Sequence, residues 1–214
     1  MNLPPSRGPR KEHPTRDEIA LLPPFPGLTL ERIHLLRGEA DLAAAEAEIL
    51  RERQIGFDTE SKPTFTREAV SDGPHLIQIA LTERAFIIQI DARPPLDFLK
   101  RVIESEEILK VGFGLDSDRG PLLRKLGLQL RGSIELSRLL RQQLGYRQDL
   151  GVKAAVAAVL GQRLSKSRKA TTSNWAAATL SPSQLTYAAN DAFAALQVFR
   201  AMGSAAALSP RQQR

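Results

Sequence analysis

Strand-like and helical runs alternate along most of this chain, and that alternation restricts it to an α/β architecture. A short candidate strand at Arg32–Leu36 precedes Asp41–Arg53, where Leu42, Ala45 and Ile49 recur at spacings of three and four, the period of a helix. Three compact β signals follow, at Gln54–Thr59, His75–Leu81 and Ala85–Ile90. Only Thr82-Glu83-Arg84 separates the last two, a connection short enough for a hairpin, so this part of the sheet is expected to be antiparallel. Leu96–Ser105 reads as a helix, Ile108–Phe113 as a strand and Asp118–Leu126 as a helix stopped by Gly127; later segments are mostly helical. The final helix has the sharpest boundaries. Ser181 caps it, Pro182 suits its first turn, and Gln184 completes a Ser-x-x-Gln capping box. Leu185, Ala189, Ala192, Leu196 and Phe199 then follow one face, and Gly203 stands where a helix stops. The expected product is an α/β domain with a mixed five-stranded sheet flanked by helices.

The two ends of the chain differ from this middle. Half of the 14 prolines fall within the first 26 residues, where apolar residues follow neither period, so residues 1–30 are expected to form a flexible leader or one laid across the surface. Residues 204–214 read as a polar tail, which leaves 31–203 for the globular unit. The leader has no apolar signal-peptide core and no stretch approaches 18 uninterrupted apolar residues, so the expectation is a soluble cytoplasmic protein with no membrane role. The absence of cysteine excludes disulfides, thiolate metal sites and a Cys nucleophile. The formal charge is +6, but 30 basic residues are scattered among 24 acids, which favours a polyanionic partner only weakly.

Chemistry is concentrated in three acidic signals. Asp58-Thr59-Glu60 ends the strand begun by Ile55 and Phe57, and side chains at i and i+2 share one face, so the two carboxylates project together. Such a pair repels unless a cation lies between its members, and hard divalent ions choose oxygen ligands. By itself the pair is equally a solvated strand end. The second signal is Asp116-Ser117-Asp118 after Lys110-Val111-Gly112, where either Asp also suits an ordinary helix cap. Gly112-Phe113-Gly114 lacks the third glycine of a dinucleotide-binding turn, and that reading is discarded. The third is Tyr187-Ala188-Ala189-Asn190-Asp191, whose spacing of four puts phenol and carboxylate one turn apart on one helix face. With only two tyrosines, Tyr-x-x-x-Asp is expected by chance about 0.09 times, so this match carries more weight than the first.

Taken in this order, the three signals resemble the exonuclease motifs of the RNase D-like (DEDDy) 3′→5′ exonucleases, and most of all the Werner-syndrome-type exonuclease domains and their bacterial relatives. Gly56-Phe57-Asp58-Thr59-Glu60 followed by Pro63-Thr64-Phe65 is similar to the first motif, Asp118, six residues beyond Gly112, to the second, and Ser173-Asn174-Trp175 before Leu180 to the lead-in of the third. The resemblance runs from Arg32 to Met202 and implies a ribonuclease H-like fold and a metal-dependent exonuclease. It implies that Asp58 bridges two divalent cations, Mg²⁺ or Mn²⁺, that Glu60 and Asp191 hold the one serving the attacking water, that Asp118 serves the other, and that Tyr187 orients the nucleophile. Two cations about 3.5–4 Å apart can activate water, neutralise charge at phosphorus and stabilise the departing oxygen at once. No protein nucleophile is then needed, and His75, at a strand start, is expected to be structural.

The implied partner is nucleic acid, DNA or RNA, with a free single-stranded 3′ end. Thr59 beside the acids, Lys166 and Lys169 in a basic stretch that also holds Lys153 and Arg168, and Trp175 as a stacking face are candidate substrate contacts. A solvated loop and a core tryptophan are the plainer alternatives. Competing functions are a catalytically inactive domain that binds nucleic acid or protein, and a nuclease for dinucleotides or very short RNA.

Overall fold

The computed structural model describes residues 11–63, 71–165 and 173–203. Its centre is a six-stranded mixed sheet built from β1 (Ile33–Leu35), β2 (Gln54–Glu60), β3 (Leu76–Ala80), β4 (Ala85–Gln89), β5 (Leu109–Gly112) and β6 (Ser133–Glu135), in the order β1-β4-β3-β2-β5-β6. Only β3 runs against its neighbours; β1 is parallel to β4, and β2, β5 and β6 are parallel to one another. The five expected strands are present with the antiparallel β3–β4 pair, but the count is corrected to six. β6 has one fully apolar side chain, Ile134, in three residues. It is a strand because Lys110, Val111 and Gly112 of β5 pair with it, and no local periodicity reports such a partner.

Helices cover both faces. In chain order they are α1 (Arg16–Ala20), α2 (Glu39–Glu52), α3 (Leu96–Ile103), α4 (Leu115–Leu126), α5 (Leu136–Leu144), α6 (Val152–Ala155), which runs on as a π-helical stretch over Val156–Leu160, and α7 (Pro182–Ala201). Strand alternation sorts the core. Ile55 and Phe57 of β2 join Ile77, Ile79, Phe86 and Ile88 beneath α2 and α3. The opposite face takes α7, against which Leu76, Ala80, Ala85 and Ile87 pack. α7 is buried on more than its expected stripe, because Ala194, Ala195 and Val198 face a further cluster with α5 and α6. Its small residues let it approach the sheet closely. A Cβ on Gly56 would come within 1.9 Å of the Ala192 carbonyl oxygen, so β2 and α7 touch backbone to backbone at this glycine.

The described part of the leader is laid across the surface. Lys11 pairs with Tyr146 and Pro24 with Arg163 in isolated bridges, Leu28 is buried, and Asn190 of α7 accepts from the Leu28 N–H at 2.6 Å. No helix among the described residues is long and apolar enough to cross a membrane.

A buried lysine braces this frame. Lys110 of β5 is fully buried, and its ammonium donates to the carbonyls of Val102 (3.2 Å) and Ser105 (2.5 Å) at the C-terminal end of α3, where the helix dipole favours positive charge. Burial pulls its pKa down to about 7, against the opposing charge of Glu106. A lysine in the unfolded chain keeps its proton to about pH 10.4. The folded chain therefore holds fewer protons than the unfolded one between the two values, and stability rises with pH across that window, by an amount on the order of a few kcal/mol. In urea melts at pH 7 and 9.5, wild type should gain more stability on going up in pH than Lys110→Met; parallel changes would show that the ammonium is not held at a cost.

Candidate active site

The C-terminal ends of parallel strands gather the chemistry at one edge of the sheet, as open α/β sheets do. Asp58 and Glu60 project from the end of β2 on the face that carries Gly56, and α7 brings Asp191 onto them. Carboxylate oxygens of Asp58, Glu60 and Asp191 lie within 4.8 Å of one another. Asp191 is only 7% exposed and Asp58 and Glu60 are half-buried, so water screens the three charges less than it would on an open surface. Three oxygen donors at this spacing fit a hard divalent cation. The distance from Gly56 to Ala192, one residue after Asp191, sets how closely the third acid approaches the other two.

Asp118 reaches the site from the other side of β2. Its Oδ1 accepts the Thr59 hydroxyl at 2.8 Å, and Thr59 alternates with Asp58 and Glu60 along the strand. It is therefore coupled to the acidic pair through Thr59 and stands outside the group of three. Burial pushes the Asp118 carboxyl up to about 6, Glu135 adds to the rise, and the Thr59 hydroxyl opposes it. The two neighbouring acids differ in their partners: Asp116 is exposed and ion-paired with Arg138 and Arg119, whereas Asp118 accepts the Thr59 hydroxyl. α4 begins three residues earlier than expected because Gly114, with φ +84°, is its N-cap. Glu135, at the end of β6, fastens this turn by accepting from the Gly114 N–H and from the backbone and hydroxyl of Ser137.

Tyr187 lies one turn before Asp191 on α7 and is partly exposed. Trp175 packs against it with ring centroids 5.9 Å apart. Trp175 itself is 1% exposed, which corrects the expectation of a stacking face for substrate: a ring with no open side cannot receive a base. Thr59 gives its hydroxyl to Asp118. Lys153 is exposed on α6, while Lys166, Arg168 and Lys169, with Thr64 and Phe65 of the first motif, lie outside the described residues. His75 is structural: its Nδ1 accepts from the Lys62 N–H at 3.2 Å and its own N–H donates to the Glu60 carbonyl at 2.8 Å, tying down the chain just past the acids.

Three features of the site were not read from the sequence. The contact at Gly56 depends on Ala192, 136 residues away in the chain, and Glu135 depends on β6, so neither leaves a local trace. Gln78 did leave one, as the sole polar residue of Leu76-Ile77-Gln78-Ile79-Ala80, a strand buried at every position.

A family model described as 3′-5′ exonuclease matches residues 33–206. The mouse protein described as a bifunctional 3′-5′ exonuclease/ATP-dependent helicase WRN is 28% identical over 152 residues, covering 70% of this chain and 11% of that protein. The EXO domain of Aedes aegypti Nibbler superposes with a TM-score of 0.69 at 26% identity, covering 81% of this chain and 88% of that one. Escherichia coli RNase D shares the fold, with a TM-score of 0.67 at 23% identity over 79% of this chain and 44% of its own. The chain spans from 11% to 52% of the length of the first curated relatives it matches. The sheet order, the motif positions and the extent of the family match lead to one assignment: this chain belongs to the 3′-5′ exonuclease family.

Proposed function

We propose that this chain is a 3′→5′ exonuclease that hydrolyses phosphodiester bonds from the free 3′ end of single-stranded DNA or RNA, using two divalent cations, Mg²⁺ or Mn²⁺. The observation that carries this reading is the convergence of Asp58, Glu60 and Asp191 within 4.8 Å, with Asp118 joined to them through Thr59. Four carboxylates in a half-buried site are strongly self-repelling, a state that bound cations relieve. By the family resemblance, Asp58 would be the acid that both cations share; Glu60 and Asp191 would complete one site and Asp118 the other. When bound, such ions lower the pKa of water and neutralise charge at phosphorus and on the leaving oxygen. The Thr59 hydroxyl fixes one Asp118 oxygen, so that acid is oriented before the ion arrives.

Tyr187 positions the attacking water. A neutral phenol is a poor ligand for a hard cation beside carboxylates, but its hydroxyl, a turn from Asp191, can align water for in-line attack. The Trp175 ring behind it restricts where that hydroxyl can go. Tyr187→Phe should therefore lower single-turnover cleavage by about 10–10³-fold with metal affinity unchanged, since the lost interaction matters mainly in the transition state. Cleavage at the wild-type rate would show that the phenol only packs, and lost metal binding would assign it to holding the site together.

The function is tested with 5′-labelled DNA and RNA strands, linear and circular, with Mg²⁺ or Mn²⁺ and with EDTA. The expected result is stepwise shortening from the 3′ end of linear strands, slowed by a 3′-phosphate and stopped by EDTA. Circular strands cut as fast as linear ones, or cleavage that persists in EDTA, would overturn it.

A further inference from the structure

β3 is buried along its whole length, and Gln78 is fully buried with neither amide Nε2 nor Oε1 hydrogen-bonded among the described residues. A primary amide brings two donors and two acceptor positions into the core, and leaving them unmade is a cost that Leu or Met in the same place would not carry. The position of the amide identifies what it serves. The antiparallel register sets Gln78 directly opposite Asp58, and directly opposed residues project from the same face with Cβ atoms about 4.5–5.5 Å apart. Gln78 therefore stands on the face of Gly56, Asp58 and Glu60, beneath α7. The only other buried side-chain polar atom without a partner among the described residues is the Trp175 Nε1, and Trp175 packs in the cluster formed by Leu76 and Ala80, the residues that flank Gln78 on its face. These unmade hydrogen bonds are gathered on one face of the sheet, behind the acids.

We infer that Gln78 is a positioning residue for Asp58: with a divalent cation on the acids, the Gln78 Nε2–H donates to the Asp58 carboxylate and fixes which oxygen faces the ion. A neutral donor suits this place. A lysine or arginine would compete with the cation for Asp58, and a glutamate would add a further repelling charge, whereas an amide orients the carboxylate without changing its charge. The inference rests on the proposed cation site.

The test uses the full chain, wild type and Gln78→Met, titrated with Mn²⁺ by calorimetry and assayed on a labelled oligonucleotide. Loss of the donor should weaken Mn²⁺ binding by about 10–100-fold and lower kcat with little change in KM, while the thermal midpoint in the absence of metal stays level or rises. A Gln78→Met protein that binds Mn²⁺ and turns over like wild type would overturn the role. Should that variant fail to fold, the side-chain amide resonances of Gln78 in the wild-type protein decide the matter during a Mg²⁺ titration. They should shift and gain protection from exchange as the ion binds, and resonances that stay still while the Thr59 backbone amide shifts would overturn it. Wild-type protein that binds neither ion would overturn the cation site and this inference together, whereas an indifferent Gln78→Met beside a metal-binding wild type overturns the inference alone.

Discussion

Asp58→Asn should abolish hydrolysis, lowering single-turnover cleavage by at least about 10³-fold, with the fold intact. In the proposed mechanism Asp58 is the acid shared by both cations, so its loss would disable water activation and leaving-group stabilisation at the same time. It lies among acids within 4.8 Å whose repulsion it increases. Removing its charge should therefore leave the thermal midpoint without metal unchanged or higher, while the midpoint gain on adding Mg²⁺ or Mn²⁺ shrinks, because less ligation favours the native state. Cleavage within tenfold of wild type, or a variant that still gains the full stabilisation by metal, would show that Asp58 is not the shared ligand.

Gly56→Ala should disrupt the site without altering a single acid. The added Cβ would meet the Ala192 carbonyl oxygen at 1.9 Å and its carbon at 2.7 Å, and a helical backbone carbonyl has no rotamer by which to move aside. β2 and α7 must separate, and Asp191 moves with α7, away from Asp58 and Glu60. The expected cost is about 1–3 kcal/mol of stability, typical of overpacking, and about 10²-fold in turnover, the usual consequence of a misplacement near 1 Å. Gly151→Ala is the control, because its φ is −75° and an added Cβ there meets nothing within 4 Å. Urea melts and single-turnover rates on both variants check the prediction. A Gly56→Ala protein as stable and active as Gly151→Ala would mean that the strand and helix are not in contact at this point.

These two residues also mark what was legible in the sequence. Asp58 and Glu60 could be paired because a strand has a period of two, and Tyr187 and Asp191 because a helix sets four residues one turn apart. α7 was bounded correctly by the reciprocal Ser181–Gln184 capping box. Each of these depends on neighbours within a few residues. Features that depend on distant pairing were hidden. β6 exists through its register with β5, α4 starts at Leu115 because a left-handed glycine caps it, and Trp175 turns inward because α7 and the sheet enclose it. Lys110 gives the same lesson for charge: a lysine in a β signal reads as half-exposed, and only the carbonyls at the end of α3 make its burial possible. The separation of Asp118 from the other three acids likewise comes from its place beyond Thr59, on the opposite side of β2.

Whether these four acids hold two divalent cations is decided by anomalous diffraction from crystals of the wild-type chain soaked in Mn²⁺ at a concentration that supports hydrolysis. The expected map has two manganese peaks, both touching the Asp58 carboxylate, one of them also held by Glu60 and Asp191 and the other on the Asp118 side. Manganese absent from Asp58, or a site holding one ion under conditions where strands are being cut, would contradict it.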